Sequence, residues 1–266
     1  MAGPAHAYRV DPNGEVVLGL VTSGAMSVRR GRRRFVFASG EACIWDATDA
    51  HAGVPQGCVA WGARVIVIEA PAVEDHLRDL DLVSTGFTFP EPHLADPMLV
   101  DQLAALHRCS ADPDAPRLAM QSLLHEHLTA VLCAAGAAPA VGQTMSRARA
   151  RRDPALRRGC DYLLAHLADN ISLDEIAAAA GAPRFRVLRL FRAAFGAPPH
   201  RFQLAHRIAL ARRLLESGRT ASDVAFATGF VDQAHLHRCF VRTLGITPGR
   251  YARAFRRGLQ ERTRPS

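Results

Sequence analysis

The sequence contains no lysine: all 33 basic residues are arginine, a bias that genome base composition explains and that assigns no function. It also lacks any Cys-x-x-Cys pair. Cys43, Cys58, Cys109, Cys133, Cys160 and Cys239 lie scattered, which excludes a zinc knuckle and a thioredoxin-type site and fits reduced thiols in a cytoplasmic protein. The first residues lack the basic-then-apolar layout of a signal peptide. The most apolar stretch, Leu128 to Val141, is short and broken by Gly136 and Pro139, so no membrane span is expected. A Gly-rich phosphate loop and a nucleophile elbow are both missing. His125-Glu126-His127 begins like a metalloprotease motif, but Thr129 stands where His-Glu-x-x-His needs its second histidine. Histidines two apart on a helix also point in different directions, which spoils chelation.

What is present is an uneven distribution of charge. Residues 1–146 carry 10 Arg against 16 acidic residues, whereas residues 147–266 carry 23 Arg against 9. The first part is therefore at −6 and the second at +14. A strongly basic half joined to an acidic one points to a polyanionic partner for the second half. A solvated Arg-rich surface gives the same balance, and charge alone does not separate DNA from RNA or an anionic membrane.

A chain of 266 residues is expected to form two domains. Short runs at Val16–Val21, Ala25–Val28, Arg34–Ala38, Ala42–Asp46 and Arg64–Glu69 read as strands, with turns at Gly31 and Ser39-Gly40. They predict a small antiparallel sandwich or barrel. Between Arg117 and Ala135 the period changes. Met120, Leu124, Leu128, Val131 and Ala135 form one helical stripe, which serves equally as core or as a dimer interface. Residues 136–153 turn to Ala, Gly, Pro, Ser and Arg and read as a linker. From Pro154 onward the pattern is helical.

That helical region contains one unit twice. Ser172, Glu175, Ala177 and Gly181 recur 48 residues later as Thr220, Asp223, Ala225 and Gly229. Phe191, Gly196, Pro199 and Phe202 recur 49 residues later as Phe240, Gly245, Pro248 and Tyr251. Ser172 and Thr220 are placed to cap a helix, with Glu175 and Asp223 completing the box; the shorter Asp makes the second box weaker. Gly181 and Gly229 fall where the chain must leave a helix sharply. Ile176, Val187 and Leu190, and then Val224, Leu236 and Phe240, form the apolar seams. Helix, glycine turn and a second helix with a polar outer face is the helix-turn-helix layout. A protein-binding helical module shares the repeat but not the reason for a charge of +14. Leu204, Ile208, Ala211 and Leu215 follow one face of a connecting helix from about Pro199 to Ser217, and a further helix at Leu156–Leu167, with Leu163 and Leu164, precedes both units.

The run Gly229-Phe230-Val231-Asp232-Gln233-Ala234-His235-Leu236-His237-Arg238-Cys239-Phe240, with Gly245-Ile246-Thr247-Pro248 and Tyr251, resembles the AraC/XylS family signature. Arg207, Ala211, Leu214 and Leu215 match that family's connecting helix. The resemblance is specific over residues 155–255 and looser over residues 1–135, where Arg29-Arg30-Gly31-Arg32, Gly40-Glu41 and His51 resemble the hairpins of the family's cupin-type domain. It implies an α+β chain with four parts. Residues 1–135 are a cupin-like effector-binding or dimerisation domain with trailing helices, 136–153 a linker, 154–258 a double helix-turn-helix DNA-binding domain, and 259–266 a tail.

The implied function is transcription regulation, with double-stranded DNA as partner and no cofactor. A small-molecule effector, RNA polymerase and a second copy of the chain are further implied partners. The second helix of each unit would enter successive major grooves about 34 Å apart. Matching positions assign Phe185, Leu188, Arg189, Gln233, Ala234, His235 and Arg238 to base contacts. Arginine on guanine, Gln233 on adenine, and apolar side chains on thymine methyls are the fitting pairs. For Arg189 and Arg238 a phosphate contact is the alternative. Arg184, Arg186, Arg192, Arg201, His237 and Arg242 are assigned to phosphates. Trp45, His51 and Trp61 are candidates for an effector pocket, though buried Trp is commonly core. A metal is not expected in the barrel, because only His51, with His6 a poor second, stands near a ligand position and the His-x-His strand is missing. A cupin metalloenzyme fused to a DNA-binding module is the competing class, and DNA architecture without sequence preference is a third.

Overall fold

The computed structural model describes residues 8–10, 15–30, 32–45, 51–56, 60–80, 89, 91–134 and 146–262. Its contacts fall into two units: residues 1–112 with 123–144, and residues 113–122 with 145–266.

The first unit holds two antiparallel four-stranded sheets. Strands β1 (Tyr8–Val10), β6 (His51–Pro55), β3 (Ala25–Arg30) and β4 (Arg33–Ala38) form one, in that order. Strands β7 (Gly62–Glu69), β2 (Glu15–Ser23), β5 (Ala42–Trp45) and β8 (His93–Leu94) form the other. All five expected strands are present. Strands β1, β6 and β8 are too short or too glycine- and proline-rich to announce themselves. The sheets share one core, with Val17, Val21, Cys43 and Trp45 from one meeting Met26, Val28 and Phe37 from the other. Phe35 and Phe37 set their rings edge-on to Trp45 at centroid distances of 6.1 and 5.9 Å. Helix α1 (Ala70–Asp79) follows β7, and α2 (Pro97–Ser110) starts where the Asp96 carboxylate accepts from the Met98 amide at 2.8 Å.

Helix α3 (Arg117–Ala134) departs from the expected stripe. Leu128 and Val131 are buried as anticipated, but Met120 and Leu124 are only half-buried, and Ala135 lies outside the described residues. Leu118, Ser122, His127 and Leu132 are buried instead. Polar and apolar residues are spread round the helix, so its sequence singles out no one face. Its first turns join the core of the second unit, where Leu118 packs with Ile176 and Phe191.

The second unit is all helical: α4 (Arg147–Arg152), α5 (Pro154–Ala165), α6 (Leu173–Ala180), α7 (Arg184–Phe195), α8 (Pro199–Glu216), α9 (Ala221–Ala227), α10 (Gln233–Leu244) and α11 (Pro248–Arg262). Helix α4 occupies part of the span expected to be linker; the rest of that span lies outside the described residues. Its signal was hidden because five of six residues are Arg or exposed Ala, and the single Ala150 does the burying. Two cores alternate along the unit. One surrounds α5, α6 and α7; the other surrounds α8, α9, α10 and α11. Ile176, Val187, Leu190, Val224, Leu236 and Phe240 all fall inside these cores, as the repeat required.

The repeat also explains the helix ends. Ser172 Oγ accepts from the Glu175 amide at 3.2 Å, and Glu175 Oε2 accepts in return from the Ser172 amide at 2.8 Å. In the second copy Thr220 Oγ1 accepts from the Asp223 amide at 3.2 Å, and the short Asp223 side chain reaches only the Thr220 hydroxyl, at 2.7 Å. The second box is the weaker, as its shorter side chain dictates. Gly181 and Gly229 take left-handed φ values of 61° and 74°.

Candidate nucleic-acid interface

Helices α7 and α10 are the second helices of the two repeated units. Burial along α10 alternates in pairs: His235, Leu236, Cys239 and Phe240 face inward, while Gln233, Ala234, His237 and Arg238 face solvent. The helix begins where Asp232 Oδ1 accepts from the His235 amide at 2.6 Å, which fixes its first turn. On α7 the outward positions are Arg186 and Arg192, with Arg184, Phe185 and Arg189 half-buried beside them. Arg201 on α8 and Arg242 on α10 are also exposed. Arg189 carries a buried Nε that meets no acceptor among the described residues.

Two residues assigned to base contacts are turned away from any such surface. Leu188 is 3% exposed and shares its core with Ala150, because α4 lies along that flank of α7. Among the described residues no helix covers the equivalent flank of α10, and the repeat-equivalent His237 is exposed. His235 is 8% exposed, and its ring stands edge-on to Phe230 at 5.3 Å. Both residues are core side chains rather than reading ones.

Acidic side chains face several of these arginines. Arg184 Nη1 lies 3.1 Å from Asp174 Oδ1, and Arg186 Nη2 lies 3.1 Å from Asp153 Oδ2. Arg238 Nη2 stands 3.8 Å from Asp114 Oδ2. Burial alone would raise the Asp153 carboxyl, but the Ala155 amide and Arg186 outweigh it and hold it below its usual range. Asp153 and Asp114 lie far along the chain from the arginines they face, while Asp174 stands ten residues before Arg184, across the turn between α6 and α7.

The two units are bolted together by a side chain whose role was also missed. Arg207 on α8 is buried, and its Nε donates to the Leu167 carbonyl at 2.7 Å. Its Nη2 donates to the Asp169 carbonyl at 2.9 Å and its Nη1 to the Gly229 carbonyl at 2.7 Å. Gln203, one turn earlier, donates to the carbonyls of Leu167 and Asp169, both at 3.3 Å. The loop after α5 and the turn before α10 thus share one cation. Burial pulls the Arg207 guanidinium below its ordinary pKa.

In the sheet-rich unit Trp45 is consumed by the core and Trp61 packs against it. His51 lies on β6, but its side chain and His6 fall outside the described residues. A cavity of about 340 Å³ opens elsewhere, lined by Ile44, Phe89, Leu94, Leu99 and Val131, with Glu91, His93 and Asp96 as its polar groups. Among the described residues no group of three or more His, Cys, Asp or Glu side chains is placed to hold a metal ion. No helix among them is long and apolar enough to cross a membrane.

These features can be set beside known proteins. Residues 2–128 match the AraC-like ligand binding domain family, and residues 176–254 match a helix-turn-helix domain family. The HTH-type transcriptional regulator YbfI of Bacillus subtilis is 36% identical over 77 residues, covering 29% of this chain and 28% of that one. The probable transcriptional regulator LumQ of Photobacterium leiognathi is 33% identical over 92 residues, covering 34% and 37%. The chain thus aligns with little more than a third of those relatives at most. The solved DNA-binding domain of the transcriptional factor AdpA, in complex with a target DNA, is 32% identical with a TM-score of 0.37, covering 39% of this chain and 94% of that one. An AraC-like ligand-binding domain followed by a helix-turn-helix domain thus makes up most of the chain.

Proposed function

We propose that the chain is an effector-responsive, sequence-specific transcription activator that reads double-stranded DNA with α7 and α10. The observation that carries this reading is the pair of outward, Arg-bearing helix faces joined through the buried Arg207. Phe185, Arg189, Gln233, Ala234 and Arg238 are the base-reading set. Arginine suits guanine, Gln233 suits adenine, and Phe185 and Ala234 suit thymine methyls, each good pair contributing about 1–3 kcal/mol of discrimination. Arg184, Arg186, Arg192, Arg201, His237 and Arg242 meet phosphates and fix register without reading sequence. The effector is a small molecule taken up by the sheet-rich unit. The cavity bounded by Leu99 and Val131 is the better candidate site, because the sheet core is filled by Trp45 and its aromatic neighbours. RNA polymerase and a second copy of the chain are the protein partners, and the cytoplasm is the compartment.

Selection of bound sites from random duplex DNA by the purified full chain tests the reading. Enrichment of a motif with two blocks of conserved bases about one helical turn apart is expected. Recovery of unenriched sequence at undiminished affinity would overturn it in favour of an architectural role.

A further inference from the structure

The segment 113–122 is firmly seated on the helical unit. Leu118 is fully buried in its core. The Arg117 amide donates to Asn170 Oδ1 at 3.1 Å. Gln121 Oε1 accepts from the Leu173 amide, the first of α6, at 2.6 Å, while its Nε2 donates to Asp174 Oδ2 at 3.1 Å. Asp114, three residues before α3, is therefore held in place by the helix that follows it. Its carboxylate stands 3.8 Å from Arg238, with Asp114 30% and Arg238 56% exposed.

We propose that Asp114 is a positioning residue for DNA reading, holding the Arg238 guanidinium toward base edges and away from phosphates. The inference rests on Arg238 being a base-reading residue. Nη2 faces the carboxylate at 3.8 Å, and a guanidinium offers five N–H donors in a planar fork. One edge can face Asp114 while another meets a guanine, so the side chain enters the groove with its plane already set. A phosphate gains less, because a contact there brings its own negative charge near Asp114. The aspartate thus favours guanine over backbone, a repulsive element that raises specificity at the expense of general affinity.

The experiment compares the full chain with Asp114→Asn, Arg238→Ala and the double variant, on a selected duplex and on a random one, at several salt concentrations. Asp114→Asn is expected to lower the selected-to-random affinity ratio by about fivefold, the scale of one exposed ion pair. The salt slope on random DNA should steepen by up to about one, as Arg238 takes a phosphate. Both changes should vanish in the Arg238→Ala background. An unchanged ratio, or an equal fall without Arg238, overturns the proposal while leaving the wider reading intact. A wild-type chain with no preference between the duplexes removes both.

Discussion

The Arg207 guanidinium donates to the backbone carbonyl of Gly229 across 22 positions of sequence, at 2.7 Å. That bond joins the middle of the connecting helix to the turn that launches α10. The same cation holds the loop at Leu167 and Asp169. The two helix-turn-helix units are thereby tied through backbone carbonyls at the far ends.

Replacing Arg207 with Ala removes three charge-assisted hydrogen bonds and leaves the Gly229 carbonyl without this donor, while Gln203 still donates to the carbonyls of Leu167 and Asp169. One unsatisfied group costs about 1–3 kcal/mol, so a loss of about 1–3 kcal/mol is expected. Urea unfolding followed by tryptophan-independent circular dichroism measures it. A change below 1 kcal/mol, on the scale of an ordinary surface substitution, would refute the bolt.

Gly229 and Gly196 make a matched pair. Both have left-handed φ, 74° and 73°, but a Cβ on Gly229 would lie 2.1 Å from the Ala168 carbonyl oxygen, whereas one on Gly196 meets nothing within 4 Å. Gly196→Ala should therefore cost only the conformational strain of about 1–2 kcal/mol. Gly229→Ala should cost clearly more and abolish binding at the half-site read by α10. Thermal melts of the two variants, with site-selection on each, test the contrast; equal losses would contradict it.

Leu188→Ala should behave as a core truncation. A loss of about 2–5 kcal/mol in stability is expected, with base preference unchanged in whatever folded protein remains. If the variant keeps full stability and changes the selected motif, Leu188 reads DNA after all.

Arg238→Ala and Arg192→Ala should separate by kind. The first should reduce binding to the selected duplex by about 1–3 kcal/mol and relax one base position, with little effect on random DNA. The second should weaken every duplex alike and reduce the salt slope by about one. Titrations on both duplexes at two salt concentrations distinguish them, and an identical profile for the two variants would dissolve the assignment.

His127 provides a pH test in the sheet-rich unit. It is fully buried, neither ring nitrogen meets a partner among the described residues, and burial, with His107 nearby, pulls its pKa down to about 4. A histidine whose folded pKa lies below its unfolded value of about 6.5 stabilises the fold fully above that value. Its contribution declines as pH falls from about 6.5 toward 4. His127→Leu should flatten this part of the stability profile and raise Tm near pH 5. A wild-type profile flat across that range would rule out the linkage.

Much of the DNA-binding unit was legible because its signals are local. The Ser172–Glu175 box, the glycine turns and the period of the seams each act within one or two helical turns, and all three stand in the structure. The misses come from contacts between distant segments. The family resemblance put Leu188 on a reading face, but α4 covers that flank, and among the described residues it has no counterpart in the second copy. His235 resembles a polar reading residue until Phe230 folds against it. Asp114 and Gln121 were invisible for the same reason, since nothing in their neighbourhood names the helices they touch. The aromatic side chains proposed for effector contact were half legible: Trp45 and Trp61 group together, yet as core.

The Gln121 contact makes the DNA reader discontinuous along the chain. A fragment cut between 136 and 153 would separate both heads from Leu118 and Gln121, uncovering an apolar socket and the leading amide of α6. Chimaeras joined at that seam would inherit a damaged module, so a faithful transplant must carry residues 113–122 along with the tail.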